Sequence, residues 1–209
     1  IRNINKVKQW QYPPFFVTLA HHFHNELGSH AKSLSDTISR FVDQKKELNS
    51  DITPLGIEVI QSLLRTDKGK RIYIDLKHAS RKVRINYYSL LQSEYLNQDI
   101  PIIVSHGAVN GYPSVDHDSL NNDENGPFLG RDINFYDDEI IKIARSHGIF
   151  GIQLDDRLIA NDSERDKIKH SNLSENQKLS LRAKLVWNHI KHIAELLDRE
   201  NMDAWDTTA

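Results

Sequence analysis

The chain has 209 residues, 38% of them hydrophobic and 27% charged, a balance expected of a soluble globular protein with one substantial core or two small ones. A formal charge of −2 with no basic block gives no electrostatic footing for a nucleic-acid partner, and no apolar run approaches the ~18 residues that a membrane span needs. Cysteine is absent, which removes disulfides, thiolate chemistry and cysteine-based zinc motifs, so any metal would rest on His, Asp or Glu.

Residues 1–12 are mixed and polar, and Pro13-Pro14 breaks them off before Phe15-Phe16-Val17-Thr18-Leu19-Ala20, a run of strand formers. His21, His22 and His24 stand at its exit. Residues 25–49 hold Gly28 and several serines and read as a long loop with a helical turn at 38–42. Thr53-Pro54 starts a helix: Thr53 caps it, and Pro54 takes the first helical position, where no amide hydrogen is needed. Ile57, Ile60, Leu63 and Leu64 mark its inner face, and Gly69 lies beyond its end.

Residues 71–80, RIYIDLKHAS, alternate Ile72, Ile74 and Leu76 with Tyr73 and Asp75, the period of a strand, and deliver His78 as the pattern stops. Ser80 opens the next helix, with Val83, Tyr87, Leu90 and Leu91 inward. Residues 100–107, IPIIVSHG, form a third strand that ends in Ser105 and His106. Residues 110–131 carry Gly111, Gly126, Gly130, Pro113 and Pro127 among several Asn and Asp, an elaborated loop of the length that tends to be functional or disordered. Asp137 caps a helix that buries Ile140, Ile141 and Ala144, and Gly148 stops it. Residues 149–154 give the fourth strand, followed by Asp155-Asp156, which fit a loop start better than a pair of site acids. Ser174 and Gln177 form a capping box for the longest helix, striped by Leu179, Leu185, Val186, Ile190, Ile193, Leu196 and Leu197.

Four strands each followed by a helix imply an α/β fold with a parallel sheet. At roughly 50 residues per unit, eight units would need about 400 residues, against ~250 for an ordinary (β/α)8 barrel. The chain therefore reads as a single domain over 1–209 that is approximately half of a heavily looped TIM barrel, or alternatively a small open α/β sheet. Both architectures place chemistry at the C-terminal ends of the strands.

Parallel strands joined by a helix bring their C-terminal ends to one side, so His78 and His106 can face one site. Neutral imidazole is a zinc ligand, and Asp75, near its strand's exit, can orient a ligand from behind. The alternative is that both histidines are partly buried and bonded to backbone. His22 and His24 form an H-x-H that resembles the metal pair of amidohydrolases, or they are polar residues at a loop entrance. His189 and His192 share a face near a helix end that is expected to be solvated, and no function is assigned to them. Ser105 and His106 are adjacent on a strand and point to opposite faces, so they are not a nucleophile–base pair.

Asp75-Leu76-Lys77-His78-Ala79-Ser80 and Pro101-Ile102-Ile103-Val104-Ser105-His106-Gly107 resemble, in order and spacing, two metal-ligand strands of the membrane (renal) dipeptidase family, metal-dependent hydrolases on a TIM barrel. Val17-Thr18-Leu19-Ala20-His21, Thr53-Pro54-Leu55-Gly56 and Ile133-Asn134-Phe135-Tyr136-Asp137-Asp138 add to the resemblance, which runs over most of the chain to about Leu154. It implies zinc, one or two ions in a full-length parent, with His78 and His106 as ligands of one ion. It also implies that His21 contacts the substrate or the developing oxyanion during hydrolysis of a small peptide or amide.

The departures are specific. The family's His-x-Asp strand and bridging Glu would precede His21, and its Gly-Ser-Asp strand would follow Trp205, so the resemblance covers the middle of a barrel without its first and last strands. Ile133 stands where the family has a substrate-binding Arg, for which Arg131 is the candidate replacement, and Lys77 stands where the family usually has Ser. The isolated chain is expected to be inactive, and to form a homodimer or associate with the missing part of the barrel, because half a barrel leaves two sheet edges open. Two other readings are a non-catalytic barrel relative serving as a binding or assembly module, and a phosphotriesterase-like or other amidohydrolase site that uses His22 and His24. The expected setting is soluble and, by a small margin, cytoplasmic. The first residue is Ile1 rather than Met, so no compartment is read from the start of the chain.

Overall fold

Four apolar stretches bounded by turn residues form a four-stranded parallel sheet in the computed structural model, which describes residues 1–34, 38, 41–116 and 124–202. In chain order the described elements are α1 (Arg2–Lys8), β1 (Phe16–Thr18), α2 (Pro54–Leu64), β2 (Tyr73–Asp75), α3 (Arg81–Glu94), β3 (Ile103–Gly107), β4 (Glu124–Asn125) and β5 (Phe128–Leu129). They continue with α4 (Asp137–Arg145), β6 (Ile149–Ile152), α5 (Asp156–Ile159), α6 (Asp162–Lys169) and α7 (Glu175–Arg199). The sheet order is β1-β2-β3-β6, and β4 and β5 make a separate antiparallel pair. The fold class expected from the alternation of strands and helices is thus the one observed, an order common to a partial barrel and a small open sheet. The chain divides into two compact units, Ile1–Ser105 with Ser146–Ile149 and His106–Arg145 with Phe150–Ala209.

In the first unit β1 and β2 pair in parallel with Thr18 opposite Asp75, and Asp75 in turn lies opposite Ile103 of β3. Strand β2 is shorter than its sequence pattern, and the expected alternation of buried and exposed residues gives way to continuous burial from Ile74 to Ser80. A parallel strand covered on both faces has no solvent side on which to alternate. Helix α2 packs on β2 and α1 packs on α2. The Thr53 hydroxyl accepts from Gly56 N–H, the cap expected from Thr-Pro, and Ser80 caps α3 by accepting from Val83 N–H.

Helix α1 has no sequence signature of its own, since no side chain caps it and its residues are mostly polar. It is held by Lys8, whose buried ammonium donates to Ser62 O at 2.7 Å and to Arg65 O, the open carbonyls at the end of α2. Desolvation lowers the Lys8 pKa, with Asp67 opposing that shift. The turn expected at 38–42 falls partly outside the described residues, although Phe41 and Val42 N–H both donate to Ile38 O.

In the second unit α4 begins at Asp137, so Asp137 is its first helical residue rather than its cap, and Glu139 Oε2 instead accepts from Tyr136 N–H. The buried face uses Ile140 and Ile143, with Ile141 and Ala144 half-buried. His147, not Gly148, takes the left-handed conformation after the helix, at φ 52°. The polar stretch after β6 contains α5 and α6, two short helices capped by Asp155 and Asn161. Asp155 also pairs with Arg157, so it is a capping residue of the kind a loop start implies. The capping box at Ser174 and Gln177 is present. Ala108, Ile159, Ala160, Ile168 and Leu185 form this unit's core cluster. Leu179, placed on the apolar stripe by sequence, is exposed, and Leu181, two residues on, packs against that core instead. The segment from Trp205 onward lies outside the described residues.

Candidate functional site at the exits of the first two strands

Paired strands bring equal offsets together. Thr18 and Asp75 are register partners, and three residues beyond each lie His21 and His78. Their rings meet with centroids 4.3 Å apart, and His22 joins them at 4.0 Å from His21 and 5.0 Å from His78. His21 is exposed, His22 half-buried and His78 only 6% exposed.

His78 adopts φ 66°, a left-handed conformation that costs a residue with a Cβ about 1 kcal/mol. The surrounding backbone holds it there. His78 O accepts from Ala31 N–H at 2.8 Å, His30 bridges antiparallel to Ala79, and the buried guanidinium of Arg84 donates from Nη1 to Ala79 O at 3.0 Å. The histidine thus leaves the strand in a sharp turn instead of continuing in extended form.

Asp75 is fully buried, and its carboxylate joins the strands. It accepts from Thr18 Oγ1 (2.8 Å), Ser105 N–H (2.9 Å), Ser105 Oγ (2.7 Å) and Lys77 N–H (3.1 Å). Four donors account for its lone pairs, so its part in the site is to fix the ends of β1, β2 and β3. Lys77 is buried as well. Desolvation pushes the His22 pKa down, with the charges of His21, His30 and Lys77 adding in the same direction.

His106 lies in the second unit as the exposed fourth residue of β3, three residues after Ile103, the register partner of Asp75. Arg131 is half-buried in the turn before α4, where its carbonyl accepts from Asn134 N–H. Ile133 is 1% exposed and belongs to the core, while Asn134 is buried and ties Leu129 O to Leu158 O through Nδ2. His189 is 0% exposed, contrary to the solvated face expected for it. Its Nδ1 accepts from Val109 N–H at 3.2 Å and its Nε2 donates to Ile159 O at 2.8 Å. Its neighbour His192 pairs with Asp137 at 2.6 Å.

Imidazole donors suit zinc, and unit one supplies them in a cluster, but among the described residues no group of three or more His, Asp or Glu is arranged to hold an ion. The fit is therefore that of single ligands. Sequence reasoning missed Ser33, Gln44 and Arg84, which brace the cluster from loop and helix positions. The Ser33 and Gln44 bonds reach across the loop to His22 and the Arg84 bond runs back one helical turn to Ala79, and no sequence pattern announces either.

The chain is an α/β protein whose first unit gathers histidines at the C-terminal exits of two adjacent parallel strands. No family model and no curated protein matches it. Among solved structures it is similar to the crystal structure of the probable dipeptidase PvdM from Pseudomonas aeruginosa, with a TM-score of 0.44 and 14% identity over 94% of this chain and 50% of that chain. The chain spans about half the length of that protein. No described helix is long and apolar enough to cross a membrane.

Proposed function

We propose that this chain carries part of the active site of a metal-dependent hydrolase of the dipeptidase type, acting on the amide bond of a small peptide. The observation that carries the reading is the packing of the His21 and His78 rings at 4.3 Å, three residues beyond paired positions of β1 and β2. Its second support is the ordered set of sequence motifs, in which His78 and His106 occupy the ligand positions and His21 the substrate-contacting one. His106 has the same three-residue offset from Ile103 that His78 has from Asp75.

The sequence motifs make His78 and His106 each a candidate zinc ligand, and zinc would supply Lewis acidity and bring the pKa of water to about 7. The chain's own residues then have separate tasks. His21, exposed beside His78, donates a hydrogen bond to the substrate carbonyl as negative charge develops on it. Asp75 keeps the strand ends in register, and Arg131 offers a cation for the substrate's carboxylate.

The alternative of a non-catalytic relative rests on Ile133, whose side chain is in the core at the position the family gives to Arg. One assay separates the two readings. The full-length polypeptide should bind zinc and cleave members of a dipeptide panel, with His78→Ala and His106→Ala each weakening zinc affinity by at least tenfold. Unchanged zinc affinity in both variants would end the metal assignment, and an inactive zinc-loaded protein would leave the binding-module reading.

A further inference from the structure

A partly buried polar relay beside the ring cluster bears on what His22 can do. Gln44 is 5% exposed, and its side-chain amide is oriented by the backbone. Oε1 accepts from Ser33 N–H at 3.3 Å and Leu34 N–H at 3.2 Å, while Nε2 donates to His22 O at 2.9 Å. Exchanging O and N would lose all three bonds, so the assignment is fixed. The second hydrogen on Nε2 then points to Ser33 Oγ at 2.7 Å. Ser33 Oγ also lies 2.6 Å from His22 Nδ1. With one lone pair taken by Gln44, the hydroxyl can donate its own proton to Nδ1, and in that arrangement neutral His22 carries its hydrogen on Nε2. His30 Nε2, 3.0 Å from Gln44 O, helps hold the backbone of Gln44 in place.

We propose that Gln44 and Ser33 lock His22 as an Nε2–H hydrogen-bond donor, which binds a carboxylate oxygen of the ligand instead of a metal ion. The lock is independent of any reaction; the identity of the ligand as a peptide carboxylate rests on the hydrolase reading above. The surroundings favour a negatively charged oxygen, because the buried Lys77 side chain lies close enough for its charge to act on the ring. The carboxylate of Asp75, the acid at the end of β2, is already occupied by four donors.

The test is nitrogen NMR of the histidine side chains in the full-length polypeptide at neutral pH. His22 should show an unprotonated Nδ1 and a protonated Nε2. Gln44→Glu should reverse this, because a carboxylate accepts the Ser33 proton and leaves Ser33 Oγ to accept from Nδ1–H. Ser33→Ala, which does not depend on tolerating the new charge, should mix the two tautomers. Acetate should move the His22 Nε2–H resonance, with its affinity about tenfold weaker in either variant.

Zinc should leave the Nε2 proton in place. A wild-type Nδ1–H tautomer, displacement of the Nε2 proton by zinc, or no response of His22 to acetate would each overturn the proposal. Failure to cleave any dipeptide would sink the hydrolase reading, while the expected tautomer pattern would still support the lock.

Discussion

Acid should destabilise the second unit through His189. Both ring nitrogens of this fully buried imidazole are used in the neutral state, Nδ1 by Val109 N–H and Nε2 by Ile159 O. A second proton would have to sit on Nδ1, facing an N–H that already points there. Burial pushes the pKa from 6.5 to about 4, the bond to Ile159 opposes the shift, and His192 adds to it. The folded value lies below the unfolded one, so the stability from this group is complete above pH 6.5. It is lost as pH falls from 6.5 towards about 4, and below that no more is lost. A displacement of this size is worth about 3 kcal/mol, a large share of the ~5–15 kcal/mol that holds a typical domain folded.

Urea unfolding followed by circular dichroism, above pH 6.5 and again near pH 4, compares the wild type with His189→Gln. At neutral pH the variant should be the weaker protein, because its side chain does not meet both backbone partners. The gap should shrink by about 3 kcal/mol on acidification, since only the wild type has this proton to take up. If the two proteins lose stability in parallel across that range, His189 is not the acid-sensitive group and the reasoning fails.

Other substitutions test the first unit. A Cβ at Gly56 would run into the Leu27 carbonyl, which is backbone and also accepts from Thr53 N–H, so Gly56→Ala should cost about 1–3 kcal/mol, read as a lower urea midpoint. The Tyr87 hydroxyl is buried with no hydrogen-bond partner among the described residues, and desolvation raises its pKa. Tyr87→Phe removes that unpaired group and should stabilise the protein by about 1 kcal/mol; a lower melting temperature would contradict the assignment. Replacing Lys8 by Met strips the end of α2 of its cap and should lower stability by about 1–3 kcal/mol, measured in the same urea series.

What was legible in the sequence was what short-range chemistry writes down. Thr53-Pro54, Ser80 and the Ser174–Gln177 box each satisfy amides within one turn, and each marks a helix start where the structure has one. The order of four strands followed from apolar runs alone. Helix α1 was not legible, because a buried lysine bonded to residues more than fifty positions away holds it in place of a local cap. The left-handed turn at His78 was hidden as well, because Ala31 and His30, far upstream, and the Arg84 side chain one helical turn on hold a stretch that reads as continuous strand. His189 was misplaced, since a solvated face was expected for it and it is fully buried. It follows Leu185 by four and precedes Leu196 by seven, so helical period alone sets it on the apolar stripe. Two backbone bonds make that placement tolerable, and nothing near it in sequence announces them.

His189 and His22 show how the same imidazole can be spent or kept available. His189 Nδ1 accepts from Val109 N–H, and in the proposed relay His22 Nδ1 accepts from the Ser33 hydroxyl, so that each ring carries its hydrogen on Nε2. In His189 that hydrogen is used by Ile159 O inside a sealed core, and the ring has no donor left. In His22 the described residues provide no partner for Nε2–H, and the ring is half-buried beside His21 and His78 instead of enclosed. A relay that buries Gln44 and half-buries Ser33 and His22 is a costly way to fix a tautomer that no described residue then uses, since the polar atoms it takes from water must be satisfied. The arrangement makes physical sense if the donor is held ready for an oxygen that comes with the ligand.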